Sequence, residues 1–200
     1  MTEKEISWDT YFMSMCYFVA LKSKDKSTKV GSIIVGVDNE VRSSGYNGPP
    51  RGFDDSDESI HERPLKYKIF QHAERNAIHN CARVGVPTKG CKMYISWTPC
   101  YDCAGAIIQS GISEVIIHKQ GQEAFNASRP ETEEFKKWND DINKSVQFMK
   151  SCGVKVKWHD GVIIPEGLHG FFSGKEYRFV ERAPSGLGLS NERYPTFELV

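Results

Sequence analysis

The sequence predicts an α/β layered domain in which helices cover a central mixed sheet. Two observations carry this. Segments with strand character alternate with segments of helical periodicity along most of the chain, the pattern of a sheet covered by helices. The first two strands are also close enough to form a hairpin, so the sheet starts with an antiparallel edge and cannot be wholly parallel.

Trp8, Tyr11, Phe12, Met15 and Val19 recur at helical spacing, which predicts an amphipathic helix over 7–22 with Ser7 or Asp9 at its start and the stripe in the core. Lys22 to Lys29 is polar and reads as a loop. Val30 to Val37 and Glu40 to Gly45 read as two strands joined at Asp38-Asn39. A dense run of loop formers follows, Gly45-Tyr46-Asn47-Gly48-Pro49-Pro50-Arg51-Gly52, and Asp54 to Arg63 reads as an exposed polar excursion. Helical spacing returns from Gln71 to Arg83 and stops at Gly85-Val86-Pro87. Cys91 to Trp97 is a strand, Cys100 to Gln109 a helix stopped by Gly111, and Glu114 to His118 a strand. Phe135, Trp138, Ile142, Val146 and Met149 mark a long helix over 131–151, and Val154 to Trp158 a last strand, with Val162 to Ile164 as an extension of it. Residues 1–164 therefore read as one domain. Beyond Pro165 glycines and prolines accumulate, and 165–200 reads as a largely irregular C-terminal extension.

Composition narrows the class. Lys plus Arg and Asp plus Glu both number 26. This balance speaks against long nucleic acid as the main partner, since such binding draws on a basic surface. A phosphorylated small molecule needs only a few local cations and remains open. No apolar run approaches the roughly 18 residues of a membrane span, so no membrane partner is expected. The N-terminus has no basic stretch followed by an apolar one, which leads to the expectation of a reducing, cytoplasmic location. There the six cysteines favour metal or redox chemistry over a disulfide framework.

Chemistry concentrates in two short motifs, His72-Ala73-Glu74 and Pro99-Cys100-Tyr101-Asp102-Cys103. A catalytic zinc takes three nitrogen or sulfur ligands and keeps its fourth position for water. His72, Cys100 and Cys103 are three such ligands. C-x-x-C spacing at the first turn of a helix lets both sulfurs face one ion, and the positive helix end favours thiolates. Glu74 suits a general acid/base beside that water. Two other accounts compete: a C-x-x-C can be a redox pair or half of a closed structural zinc site, the latter completed by His61, His79, Cys81, Cys91 or His118. The joint pattern, with a strand between the motifs, ranks catalytic zinc first. Cys16, Cys81, Cys91 and Cys152 read as buried thiols.

H-x-E followed by P-C-x-x-C is the signature of zinc-dependent nucleobase deaminases. Together with Ser23-Lys24-Asp25-Lys26-Ser27-Thr28-Lys29-Val30-Gly31 and the Gly45–Gly52 loop, it makes residues 7–160 resemble the deoxycytidylate (dCMP) deaminase branch of the cytidine deaminase superfamily. The resemblance implies a three-layer α/β/α cytidine-deaminase-like fold with a five-stranded mixed sheet. It implies hydrolysis of dCMP to dUMP and ammonia, in pyrimidine deoxynucleotide metabolism, by an activated water. Glu74 would carry protons to the ring and the leaving amine. The Ala73 N–H would hold the base carbonyl, a carbonyl at Thr98 or Pro99 the exocyclic amine, and Asn47 the deoxyribose hydroxyl. Lys29 and Arg51 are candidates for the 5′-phosphate, with Lys24, Lys26 and Arg129 behind them. The resemblance further implies a homo-oligomer, hexamer or dimer, with dCTP and Mg2+ as activator and dTTP as inhibitor, and Arg83 as an effector or interface residue. Some phage relatives hold a second zinc through cysteines near the 23–29 and 45–52 loops. Asp25, Lys26, Asp54 and Asp55 stand there in this chain, which predicts one zinc per chain. A tyrosine that some members carry after the fourth strand is replaced by His118-Lys119-Gln120-Gly121-Gln122, and a 5-substituted dCMP enters as a further candidate substrate. Two alternatives stay open: a nucleic-acid-editing cytidine deaminase and a non-catalytic zinc-stapled binding module.

Overall fold

The structure, a computed structural model, describes residues 6–54, 56–127, 131–161, 163, 169–172, 175–182 and 194–199. Chain contacts divide it into two units, Met1–Ile163 and Ile164–Val200.

Helix α1 (Trp8–Ala20) starts where Ser7 caps it, its hydroxyl accepting from the Thr10 N–H and so satisfying a donor that has no partner within the helix. The hairpin of β1 (Gly31–Val35) and β2 (Val41–Tyr46) follows, with Asn39 in the left-handed region at its turn (φ 63°), a conformation asparagine tolerates. Then come α2 (Leu65–Ile69), α3 (Ala73–Val84), β3 (Lys92–Ile95), α4 (Tyr101–Gln109), β4 (Glu114–His118), α5 (Lys119–Ala127), α6 (Glu133–Ser151) and β5 (Lys155–His159). Gly85, at φ 73°, closes α3 in the left-handed conformation that glycine adopts without strain.

The five strands form one mixed sheet in the order β2-β1-β3-β4-β5. β1 runs antiparallel to both β2 and β3, whereas β3, β4 and β5 are parallel. The parallel part is needed because helices α4 and α6 connect its strands, and a parallel pair requires a crossover.

Two cores lie on opposite faces of this sheet. Ile34, Met93, Ile95, Val115 and Ile117 pack with Ala77 and Cys81 of α3, Ala104 and Ile107 of α4, and Val146 and Met149 of α6. The intervening strand residues Ile33, Val35, Tyr94 and Ile116 pack with Phe12, Met13 and Cys16 of α1. Strand side chains alternate with period two, so one set of strands fills both cores and the three-layer expectation holds.

Several expectations shift. The buried face of α1 is Phe12, Met13, Cys16 and Ala20, while Trp8 and Tyr11 are exposed; periodicity located the helix but not its rotation, because aromatic residues lie on both of its faces. The excursion after Asp54 is not merely surface. It contains a 3-10 turn, Glu58–His61, that buries Ile60, and then α2. Cys16, Cys81 and Cys91 are buried but Cys152, one residue past α6, is exposed. The Trp138 side chain and residues 162 and 164 lie outside the described residues. In the second unit, where sequence composition predicts irregular chain, β6 (His169–Phe172), β7 (Lys175–Arg182) and β8 (Tyr194–Leu199) pair antiparallel in the order β6-β7-β8. Strand pairing in β6, β7 and β8 thus departs from that expectation. No helix among the described residues is long and apolar enough to cross a membrane.

Candidate metal centre and active-site cavity

His72 is the N-cap of α3 and Cys100 the N-cap of α4. Neither spends its side chain on capping its own helix; each turns to the other instead. His72 Nδ1 is 3.4 Å from the Sγ of Cys100 and 3.4 Å from that of Cys103. The three ligand atoms lie within 4.8 Å of one another, and they are the only such group of three found among the described residues. Around a tetrahedral zinc with ordinary Zn–N and Zn–S bonds the same atoms sit about 3.6 Å apart, so the donors are already spaced for the ion. None of His61, His79, Cys81, Cys91 or His118 joins them.

The protons on the site point the same way. Hydrogen bonds from Cys103 and then from His72 outweigh burial and bring the Cys100 pKa down to about 3. Its bond to Cys100 pushes Cys103 up. The two sulfurs thus share one proton, and a dication that displaces it gains two thiolate ligands. The donor set of one imidazole and two thiolates suits zinc, whereas magnesium prefers oxygen.

Glu74, in the first turn of α3, is 4% exposed. Burial drives its pKa up, with the nearby His72 only partly opposing this. A carboxyl with a raised pKa exchanges protons nearer neutrality, as a general acid/base must.

The sheet fixes these helix starts. Gly45 of β2 has no room for a side chain: a Cβ there would lie 2.2 Å from the Ala73 carbonyl oxygen and 2.3 Å from the Ala77 nitrogen. Ser43 donates to the Ala77 carbonyl, Asn80 to the Ser44 carbonyl and Asn76 to the Tyr46 carbonyl, while Gly48 and Gln71 exchange backbone bonds just before His72. At the other motif, Gln122 of α5 accepts from both the N–H and the hydroxyl of Thr98, and Ser145 of α6 donates to the Pro99 carbonyl at 2.6 Å.

The centre opens into a cavity of about 510 Å³ lined by His72, Ala73, Glu74, Thr98 and Cys100, by Asp25, Thr28 and Asn47, and by Arg63, Lys66 and Phe135 among others. That size suits a small molecule. His72, Ala73, Glu74, Thr98 and Asn47 therefore meet in one place. Asn47 uses its whole amide inside the protein: its Oδ1 accepts from the Val30 N–H and the Ser23 hydroxyl, and its Nδ2 donates to the Thr28 carbonyl and to Asp25. It holds the 23–30 loop in shape.

Other expected residues fall elsewhere. Lys29 donates to the Ser23 carbonyl and Arg51 to Asn80, and neither is among the residues that line the cavity. Pro99 is not a lining residue either, and its carbonyl is taken by Ser145. Arg83 is exposed in the last turn of α3. Arg129 lies outside the described residues. Sequence reasoning missed Arg63, Lys66, Gln122 and Ser145. No motif flags them, since polar residues in a surface-like stretch or on a helix carry no sign of what they face.

Solved structures share this architecture. The dCMP deaminase of cyanophage S-TIM5, in complex with dCMP and dUMP, superposes with a TM-score of 0.58 at 22% identity, covering 78% of this chain and 100% of that one. The fold class is therefore that of the cytidine deaminases. Residues 6–119 match the model of the cytidine and deoxycytidylate deaminase zinc-binding region, and the chain belongs to that family. Human deoxycytidylate deaminase is 40% identical over 117 residues, 56% of this chain and 65% of the human protein; the match thus spans just under two thirds of that relative. An uncharacterized deaminase of Aliivibrio fischeri, in the luxG 3′ region, is 37% identical over 152 residues, 76% of this chain and 92% of its own length.

Proposed function

We propose that this protein hydrolyses dCMP to dUMP and ammonia, with zinc held by His72, Cys100 and Cys103. The observation that carries the proposal is a buried Glu74, its pKa raised by burial, beside a three-ligand centre that lines a cavity of small-molecule size. The 40% identity to human deoxycytidylate deaminase supports dCMP as the substrate. When bound, zinc supplies an open fourth position at which water becomes nucleophilic near neutral pH.

The chain's own residues do the rest. Glu74 takes one proton from the water and delivers it to the ring nitrogen next to the amine-bearing carbon; it then takes the second, from the hydroxyl now on that carbon, and gives it to the departing amine. The Ala73 N–H, at the start of α3, faces the base carbonyl. The Thr98 carbonyl, rather than that of Pro99, receives the exocyclic amine, since Ser145 already occupies the latter. Asn47 meets the sugar hydroxyl by exchanging its longest bond, 3.2 Å to Asp25. Phe135 and Trp97 line the cavity and offer apolar ring faces to the base. A substituent at position 5 of the base belongs to the same proposal.

So do the finer points of biology: one zinc per chain, cytoplasmic location, a homo-oligomer, and dCTP–Mg2+ and dTTP as effectors with Arg83 at an effector or interface surface. Family resemblance supports these, and the exposure of Arg83 accords with them. Residues 1–164 form the deaminase domain in this proposal, and 165–200 its extension.

The test is ammonia release and the absorbance change on adding dCMP to zinc-loaded protein. Glu74→Gln should keep its zinc and lose about 10²- to 10⁴-fold in turnover. A fully active variant would refute the acid/base role. Preferential deamination of a single-stranded oligonucleotide would move the substrate to nucleic acid, and a cobalt spectrum of four protein ligands would make the centre structural.

A further inference from the structure

Lys29 and Arg51, the first candidates for a phosphate, are not among the residues that line the cavity, yet the cavity has cations. They come from the 54–70 segment. Arg63 and Lys66 both line it, on the same wall as Asp25 and Ser27. We infer that Arg63, with Lys66 beside it, forms the subsite for the phosphomonoester of the ligand; this rests on the nucleotide reading above.

The two cations are held differently. Lys66 Nζ is 2.8 Å from Asp25 Oδ1 and 2.6 Å from the Ser27 hydroxyl, and its side chain is 14% exposed. Burial pushes the Asp25 carboxyl up, but Lys66, Ser27 and Thr28 together bring it below its usual value. Asp25 is thus an anion and cancels Lys66. Arg63 has no carboxylate partner among the described residues. Its guanidinium lies 5.3 Å over the ring of Tyr67, itself a cavity residue, a stacking that orients the group while leaving its in-plane N–H donors available. The wall therefore carries one uncompensated positive charge on the side chain best suited to bidentate recognition of phosphate oxygens. Lys66, which spends two of its three N–H donors on Asp25 and Ser27, supplies a further donor alongside.

The placement also gives the segment a purpose. Ile60 is buried and the His61 ring packs edge-on against Phe70, so the 3-10 turn and α2 are anchored at both sides of Arg63. Lys66 then ties α2 to the 23–28 loop. The donors are fixed relative to the Asn47-held loop before any ligand arrives, which lowers the ordering cost of binding.

The experiment uses full-length, zinc-loaded protein and titrates dUMP and deoxyuridine calorimetrically into wild type, Arg63→Gln and Lys66→Met. Turnover of dCMP and deoxycytidine is measured on the same samples, with zinc content and melting temperature as folding controls. The expected result is that Arg63→Gln weakens dUMP by about 10- to 100-fold, the worth of charge-assisted bonds to one ionised group, and leaves deoxyuridine unchanged. Lys66→Met weakens dUMP as well and, through the released loop, deoxyuridine to a smaller extent. Equal losses for dUMP and deoxyuridine in Arg63→Gln, or unchanged dUMP affinity, overturn the subsite. If wild type binds dUMP through Arg63 but deaminates neither cytosine compound, the subsite stands and the deaminase reading falls. If dCMP turns over and Arg63→Gln leaves its preference over deoxycytidine intact, the subsite falls and the deaminase reading stands.

Discussion

Single side chains decide the chemistry and also the response to pH. Outside the metal centre, His118 is the residue to watch. It is buried at the end of β4, 2.6 Å from the Tyr17 hydroxyl through Nδ1 and 3.3 Å from the Gly161 carbonyl through Nε2, with the His159 ring 6.1 Å away. Burial lowers its pKa, and the bond to Gly161 only partly offsets this. The folded state thus binds the proton less readily than the unfolded chain, whose histidine titrates at about 6.5. The neutral ring's contribution is complete above that value and is lost as pH falls below it towards the folded pKa. Melting temperatures between pH 7.5 and 5.5 should accordingly fall further for wild type than for His118→Gln. Equal slopes would remove the assignment. Sequence placed His118 where a family tyrosine was missing and among the candidate fourth ligands of a closed zinc site; its burial and its partner on α1, 101 residues away, come from the fold.

At the scale of elements, two helix starts make the site, and a strand without side chains at one point lets them do so. Gly45 read as part of a loop-forming run. Its function is instead to admit the backbone of α3 against β2. Gly45→Ala must push α3 outward, and its first turn carries Glu74. Overpacking of this kind costs about 1–3 kcal/mol or more, so urea unfolding should show a midpoint well below wild type. Because His72 caps the displaced helix, zinc affinity should fall too; a variant with wild-type midpoint and zinc affinity would mean that α3 can move without loss. The element boundaries themselves were largely legible. Ser7, Gly85, Gly111 and the two metal motifs all sit at helix ends, where capping and ligation impose particular residue types. Helix α5 was not, because Lys119 to Ala127 has few apolar residues at helical spacing and borrows its order from Gln122–Thr98 and Lys119–Asp160 contacts.

For the whole molecule, the contact pattern separates Met1–Ile163 from Ile164–Val200, and every residue placed in the cavity belongs to the first unit. A chain ended after Ile163 should therefore keep one zinc and unfold in a single transition. A chelator should lower that transition, since a ligand that binds only the folded state stabilises it by mass action. A truncated chain that binds no zinc would place essential support in the second unit.

What the sequence alone determined is what short-range physics can specify: alternating strands and helices, the hairpin that makes the sheet mixed, and His72, Cys100 and Cys103 at spacings that suit one shared ion, with Glu74 beside them. What only the tertiary structure decided is which charges face the cavity. Lys29 and Arg51 sit in the motif-bearing loops but are held by Ser23 and Asn80, whereas Arg63 ends a stretch that reads as solvent-facing and Lys66 lies just beyond it. A ligand's spacing along the chain is written in the sequence because both sulfurs must reach one ion within one helical turn. The direction in which a long cation points depends on acceptors 29 to 41 residues away, and only the folded chain brings those together.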